Sequence, residues 1–430
     1  MSQEKTAVRF GKWTLLVCLI CAPCWAGQLQ KGVNLTLWSQ EVNINHLAAS
    51  LDNLKALGAN SVSVNVWWFQ DDIHSDVIQA DFTRYTASDD SVRTVIAAIH
   101  ERGMAAILKP MVDLRNDPTH WRGNIVGDEG WFTGPSGYEA FMGHWADIAK
   151  ETSAEMLVVG TELVNTTSEE ARWRAVVSDV RSRYDGQLVY AANHGGSDAA
   201  TSESIGWWDA IDFIGLDAYY PLTSKTTPTV GELQAAWQDR ATMIGNWHGS
   251  LPPEDQKPIL FTEVGYRSWD GANKAPWDGA DKGSANVDQQ EQADCYEALL
   301  SQLWGIEPWL EGLYWWNWEV DPHPTWEAPN WYPFQDKPAE TVLMSYYVPG
   351  PLTPGDANLD GTTDALDYVV VSNHYNIGSK WTEGDVNGDG AVNALDYVVI
   401  SNNYGAHTPE PATLSLLALG GLALLLRKRR

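Results

Sequence analysis

Between Lys31 and about Tyr347 the chain repeats one local pattern eight times: a short apolar run, then a longer stretch. The runs are GVNLTLW (32–38), SVSVNVWWF (61–69), MAAILKPMVD (104–113), EMLVVGTEL (155–163), QLVYAANH (187–194), DFIGLDAYY (212–220), PILFTEVGY (258–266) and LEGLYWWNW (310–318). Their length and their Val, Ile and aromatic content predict strands. Between them INHLAASLDNLKALGA and SVRTVIAAIHERG carry helical spacing and close near a glycine, and EEARWRAVVSDVRSRY and QEQADCYEALLSQLWG continue the series. Every gap between runs is long enough for a helix. An open doubly wound sheet would show the same local pattern, so the count of eight decides for an α/β fold of the (β/α)8 barrel type.

Two of the runs end in the same two letters, Thr161-Glu162 and Thr262-Glu263. A glutamate at the end of an apolar run is expensive to bury unless it is paired or used. One reading is two strand-end carboxylates that face solvent or are neutralised by a nearby Lys or Arg. In a barrel, however, chemistry gathers where strands end, and residues ending strands four and seven can meet across the mouth. Two carboxyl groups there, one ionised and one held protonated, make the set needed for glycoside hydrolysis.

The other strand ends agree. Trp38 closes strand one, Lys109 strand three, Asn193 and His194 strand five, Asp217, Tyr219 and Tyr220 strand six, and Trp315, Trp316 and Trp318 strand eight. Flat indole and phenol faces suit apolar sugar faces, while carboxylates and amides suit the hydroxyl edges. Each has a plainer alternative. Lys109 also reads as a counter-ion for Asp113 or Asp217, His194 as a backbone hydrogen-bonder, and the tryptophans as barrel filling. Period-two alternation sends Trp316 and Trp318 to one face and Trp315 to the other, so at least one lines the mouth.

Composition narrows the partners. A formal net charge of −28 argues against nucleic acid and anionic lipid surfaces. The 23 tryptophans and 16 tyrosines exceed what packing usually needs, which again suits sugar rings. The first 26 residues read as a secretory signal: Lys5, Arg9 and Lys12 precede the apolar stretch Trp13 to Ala22, with small residues near Ala26. Cys18, Cys21 and Cys24 have a metal-like spacing but fall in and just after that stretch. Its removal leaves Cys295 alone, and so no internal disulfide.

The segments GVNLTLW, ILKPMVD, VVGTEL, FIGLDAYYPL, ILFTEVGYRS and YWWNW together resemble glycoside hydrolase family 113, over roughly 31–340. The resemblance implies a clan A retaining enzyme that cuts β-1,4-mannan internally, with Glu162 as acid/base on strand four and Glu263 as nucleophile on strand seven. It implies a double displacement across carboxyl groups about 5–5.5 Å apart, with no cofactor for catalysis. Tyr219 or Tyr220 would hydrogen-bond the nucleophile. Two departures stand out. Thr161 occupies the place where most of the clan has Asn, a change family 113 shares, and Met111 stands where relatives carry His. Another clan A β-glycanase, acting on glucan or xylan, and a catalytically silent carbohydrate-binding barrel remain open, and a structural adhesin is a weaker fourth reading.

The tail changes character at the Pro/Gly stretch 348–355. Beyond it GDANLDGTTDALDYVVVSNHYN and GDVNGDGAVNALDYVVISNNYG form a duplicated unit. Asp356, Asn358, Asp360, Gly361 and Asp367 hold positions 1, 3, 5, 6 and 12 of a calcium loop, with the carbonyl of Thr362 at position 7. Asp385, Asn387, Asp389, Gly390, Ala391 and Asp396 repeat the set. The pair resembles a type I dockerin, which implies two Ca2+ ions and a cohesin-like partner reading the Ala-Leu dyads at 365–366 and 394–395. After Pro409-Glu410-Pro411, an apolar run to Leu426 and the basic end Arg427–Arg430 resemble a PEP-CTERM sorting signal. That implies a sorting protease in the membrane and a bacterial cell-surface or secreted protein; a permanent tail anchor is the alternative. The expected divisions are a signal peptide over 1–26, the barrel over 27–347, the linker over 348–355, the paired loops over 356–405 and the sorting signal over 406–430.

Overall fold

The structure, a computed structural model, describes residues 29–195, 205–279, 286–320, 330–348, 353–358, 361–378, 381–388 and 391–407. The expected signal peptide, the sorting signal beyond residue 407, and the loop residues Asp360, Asp389 and Gly390 lie outside the described residues.

All eight expected strands form: β1 Gln30–Thr36, β2 Ser61–Gln70, β3 Ala105–Leu114, β4 Met156–Thr161, β5 Gln187–Asn193, β6 Phe213–Asp217, β7 Ile259–Val264 and β8 Leu310–Glu319. They pair in parallel in sequence order, and β8 returns to β1, closing the barrel. Closure requires crossovers, and helices supply most of them: α1 Ile44–Ala56, α2 Asp89–Glu101, a short α3 Glu129–Thr133, α4 Tyr138–Thr152, α5 Glu170–Arg183, α6 Val230–Ser250 and α7 Gln289–Leu303; between β5 and β6 the described residues carry one 3-10 turn, Trp208–Ala210, and α8 Pro338–Tyr347 follows β8.

Local signals fix these boundaries. Asn43, Ser88 and Asp288 accept from the first free amides of α1, α2 and α7, and Thr229 with Glu232 forms a capping box on α6. Gly58 and Gly103, the glycines expected to close α1 and α2, sit at φ of 90° and 66°, a conformation that costs other residues a steric clash.

The core has two layers. Between sheet and helices lies a continuous apolar shell that includes Val33, Val64, Trp145, Trp173, Trp237, Leu299 and Trp315. Inside the barrel Ile107, Met156, Val158, Val189, Phe213, Leu260 and Tyr314 fill the space. Above them the filling turns polar. Asn34 donates to the carbonyls of Thr262 and Tyr314 at 3.0 Å each, and Asn65 donates to Asn34 Oδ1 at 3.1 Å. Those bonds offset the cost of taking amides out of water.

In three places the register slips by one residue near a strand's C-terminal end: β4 between Val158 and Thr161, β7 between Phe261 and Glu263, and β8 between Trp315 and Trp318. Such bulges re-aim the side chains that follow. In β7 the outcome is that Thr262 and Glu263, adjacent in sequence, both find partners on the strand-six side, Thr262 in buried Asp217 and Glu263 in Tyr219.

The tail carries α9 Ala365–His374 and α10 Ala394–Asn403 around a small core of Ala357, Val371, Val386, Val392 and Ile400. Each helix begins with a capping box, on Asp364 and on Asn393. The repeats mirror one another in detail: Tyr368 pairs with Ser401 at 2.7 Å, and Tyr397 with Ser372 at 2.8 Å. Among the described residues no helix is long and apolar enough to cross a membrane.

Candidate active site

Glu162 and Glu263 open onto one cleft of about 620 Å³ at the C-terminal mouth of the barrel. Trp121, Asn193, His194, Tyr219, Trp277, Gly279, Trp316, Trp331 and Tyr332 complete its lining. The two carboxyl groups differ in what surrounds them.

Glu263 sits inside β7 with its side chain 6% exposed. Lys109 Nζ donates to its Oε1 at 2.6 Å, and Tyr219 Oη donates to its Oε2 at 2.9 Å. Both oxygens are thus met by donors, one from Lys109 and one from a phenol. Lys109 also reaches Asp217 Oδ1 at 3.4 Å, and Thr262 Oγ1 donates to the same oxygen at 2.7 Å.

Glu162 is the first residue beyond β4 and takes φ of 53°. A non-glycine residue in that region costs about 1–2 kcal/mol, here sustained by its own amide, which donates to the Ala191 carbonyl at 2.8 Å. Asn193 Nδ2 donates to Oε1 at 2.9 Å, and Arg122 Nη1 lies 3.2 Å from Oε2. Burial raises the Glu162 carboxyl above its ordinary value; Arg122 opposes the rise, the Glu263 charge adds to it, and Asn193 and Lys109 oppose it. Arg122 is itself held firmly protonated: burial works against its charge, but Asp113, at 3.1 Å, and the two glutamates outweigh it.

The strand-end candidates sort into three groups. Asn193, Tyr219 and Trp316 line the cleft, and of the two tyrosines it is Tyr219 that bonds Glu263. Trp38 stacks on Trp67, with centroids 4.6 Å apart, and its indole N–H donates to Glu319 at 2.9 Å. It packs with Trp316 in one aromatic cluster beside the cleft rather than in its lining.

Four others lie outside the cleft lining. Lys109 and Asp217 are both fully buried beneath Glu263 and act on it, not on the cleft. Tyr220 turns outward, against Trp237 and under the Arg240 guanidinium at 5.9 Å. Trp318 is likewise buried, its N–H bonded to Ser50 Oγ at 2.8 Å and its ring against Phe334. Strict alternation fails there because of the β8 bulge between Trp315 and Trp318. Trp315 does face the helices, stacked on Tyr296 with centroids 3.8 Å apart. His194 lines the cleft tilted against Trp277; burial, and then Arg240, push its imidazole down to about 4, so it is neutral near neutral pH.

Sequence reasoning missed Arg122, Trp121, Trp277, Trp331 and Tyr332. All stand in loops after strands. Trp121 and Trp277 are 42% and 50% exposed, and their signal was an indole amid His, Arg, Gly, Pro and Asp, where no core requires one.

With this geometry in view the comparisons decide the family. A sequence model of Glycoside Hydrolase Family 113 matches residues 37–335. The chain belongs to that family. Two solved structures extend the likeness to the fold. The β-mannanase AaManA of Alicyclobacillus acidocaldarius, in complex with ManMIm, is 29% identical. It superposes with a TM-score of 0.63 over 75% of this chain and 98% of its own. A GH113 β-1,4-mannanase solved as a complex is 26% identical, with a TM-score of 0.63 over 74% and 99%. No curated protein sequence matches. In the tail the dockerin type I domain matches 354–405, and the PEP-CTERM protein-sorting motif matches 407–430. The chain is therefore a family 113 glycoside hydrolase carrying a dockerin type I domain.

Proposed function

We propose that this protein cleaves β-1,4-mannan internally with retention of anomeric configuration. The observation that carries the proposal is the asymmetry of the two carboxyl groups across one cleft: Glu263 held by Lys109 and Tyr219, Glu162 raised by burial. Glu263 attacks the anomeric carbon while Glu162 protonates the leaving oxygen, and Glu162 then deprotonates the water that frees the sugar. Trp121, Trp277, Trp316 and Trp331 offer stacking faces to the polymer. The choice of mannan rests on the two β-mannanases to which the chain is 26–29% identical.

The test is release of new reducing ends by the full chain and by Glu263→Gln. Glucomannan, galactomannan, linear mannan, cellulose and xylan serve as substrates, and proton NMR reads the first-formed anomer. Mannan cleavage with β-product first, absent in the variant, is the expected result. Cleavage of cellulose or xylan alone would keep the chemistry and remove mannan. Binding without cleavage would leave a carbohydrate-binding barrel.

The tail is read as a calcium-dependent docking module, in the order barrel, linker, dockerin, sorting signal, on an exported, surface-held protein. Its donors fit Ca2+. Asp356, Asp367, Asp385 and Asp396 are buried carboxylates, and Asn358, Asn387 and the carbonyls of Thr362 and Ala391 add hard oxygens. Asp367 Oδ1 already accepts the amides of Ala357 and Asn358, at 2.7 and 3.1 Å, and so ties the helix to its loop. A metal bound there would add its binding energy to the fold. Chelation by EDTA is expected to expose 353–407 to protease and leave hydrolysis of soluble mannan unchanged; calcium should reverse it.

A further inference from the structure

Glu263, Asp217 and Lys109 form a buried set with two carboxyl groups and one ammonium. Glu263 and Asp217 are register partners on neighbouring strands, so the fold itself places the carboxyl groups side by side. Lys109 Nζ lies at 2.6 Å from Glu263, whose far side opens onto the cleft, and 3.4 Å from Asp217, which is sealed from solvent. Thr262 aims its hydroxyl at Asp217 Oδ1 at 2.7 Å. Asp217 Oδ2 is buried with no hydrogen-bond partner. A carboxylate this deep, away from the cleft and only partly satisfied, is costly to keep. It calls for a role beyond holding Lys109 in place, since Glu263 alone would pair that ammonium.

The reaction supplies one. When Glu263 attacks, a C–O ester bond forms at the anomeric carbon, the glycosidic C–O bond breaks, and its electron pair goes to the leaving oxygen. That oxygen takes the Glu162 proton. Negative charge therefore leaves Glu263 and appears on Glu162, beside Arg122. Lys109 loses its close counter-ion at that moment, with its own side chain only 1% exposed.

We propose that Lys109 is a counter-ion shared by the two carboxylates, exchanging its short contact from Glu263 to Asp217 as the glycosyl-enzyme forms and back as it breaks down. Burial and repulsion from Glu263 push the Asp217 carboxyl well above the ordinary carboxylate range. Esterification removes the repulsion, so Asp217 carries its charge at lowest cost in the state in which Lys109 depends on it. Asp217 and Lys109 are thus positioning residues that level the energies of free enzyme and intermediate. This inference rests on the reading of Glu263 as the nucleophile.

The experiment measures the two half-reactions separately in the full chain. A 2-deoxy-2-fluoro-β-mannobiosyl fluoride is added, and intact mass follows labelling of the enzyme; after removal of reagent, return of activity gives the rate of ester breakdown. In Asp217→Asn the intermediate lacks Lys109's second partner. Labelling should slow about tenfold or more, the smallest usual effect of one close opposite charge on an ionisation equilibrium. Reactivation should be as fast as in the parent or faster. Asp217→Glu should restore labelling in part. Thr262→Val, which removes the hydroxyl aligned on Asp217, should shift both rates in the same directions by less, and serves if the Asn variant does not fold. Equal slowing of both half-reactions, or no change in either, would overturn the exchange and leave Asp217 a scaffold residue. Labelling of the parent at a residue other than Glu263, or none at all, would overturn the nucleophile reading and the exchange with it.

Discussion

The two Thr-Glu pairs share their letters and their place at a strand end, yet the molecule treats them differently. Glu263 lies within a strand beside its β6 register partner Asp217, held by Lys109 of β3 and by Tyr219, two residues past the end of β6. Glu162 lies one residue past its strand, in a left-handed conformation, and its cationic neighbour Arg122 comes from a loop. One carboxyl group is held chiefly from a strand, by Lys109; the other is tuned by Arg122, from the connection after β3. The difference teaches that residue type sets what a group can do, while the elements around it decide which of two protonation states it keeps.

The largest expected effect breaks the comparison on the rigid side. Glu263→Gln removes the nucleophile while keeping shape and one hydrogen-bond acceptor. Its kcat on mannan should fall on the order of 10⁴-fold or more, as when a covalent nucleophile is lost elsewhere. Melting temperature, read beside kcat, separates lost chemistry from lost fold, because Lys109 retains Asp217.

Next comes Glu162. Glu162→Gln should cost roughly 10²–10⁴-fold on mannan, the range of general acid–base catalysis. The loss should be much smaller on an aryl mannobioside whose leaving group needs no proton, where ester breakdown becomes limiting and added azide restores turnover. Equal loss on both substrates would mean that Glu162 is not the acid.

The eightfold pattern and the two glutamates were legible because each rests on local information: strand length, cap residues, and a carboxylate where an apolar run stops. What faced the cleft was harder to read. Trp318 and Tyr220 were assigned to the mouth by counting along the strands, but a one-residue register slip in β8 sends Trp318 to the helices, and Tyr220 lies beyond the end of β6. A bulge leaves no mark in residue type, since it is decided by how neighbouring strands pair. Arg122, Trp121 and Trp277 lie on loops whose path depends on the whole mouth, so no periodicity could point to them. Lys109 was found as a strand end, but its choice of Glu263 over Asp113 needed the closed barrel.

Arg122→Gln sharpens the comparison through pH. The step that breaks the glycosidic bond needs Glu162 protonated, so the alkaline limb of kcat/KM follows the Glu162 carboxyl in the free enzyme. Burial and Glu263 hold that carboxyl high, and Arg122 pulls it down. Removing the guanidinium removes a downward pull. The limb should therefore move to higher pH, by about one unit, the low end of the effect of a close opposite charge. A shift toward lower pH would contradict the assignment of Glu162 as the acid.

Asn193→Ala tests the same carboxyl group with a neutral donor. Asn193 Nδ2 donates to Glu162 Oε1, and a donor bonded to the ionised form favours that form. Its loss should raise the alkaline limb as Arg122→Gln does, but by about half a unit, the size of one modest hydrogen bond. Because Asn193 also lines the cleft, KM for short mannan oligosaccharides should rise together with the limb. Arg122 is absent from the cleft lining, so its variant should move the limb with less change in KM. If the two variants changed KM alike, Arg122 would have to contact the sugar directly, and the loop-borne side of the site would be a binding surface as much as a tuning device for Glu162.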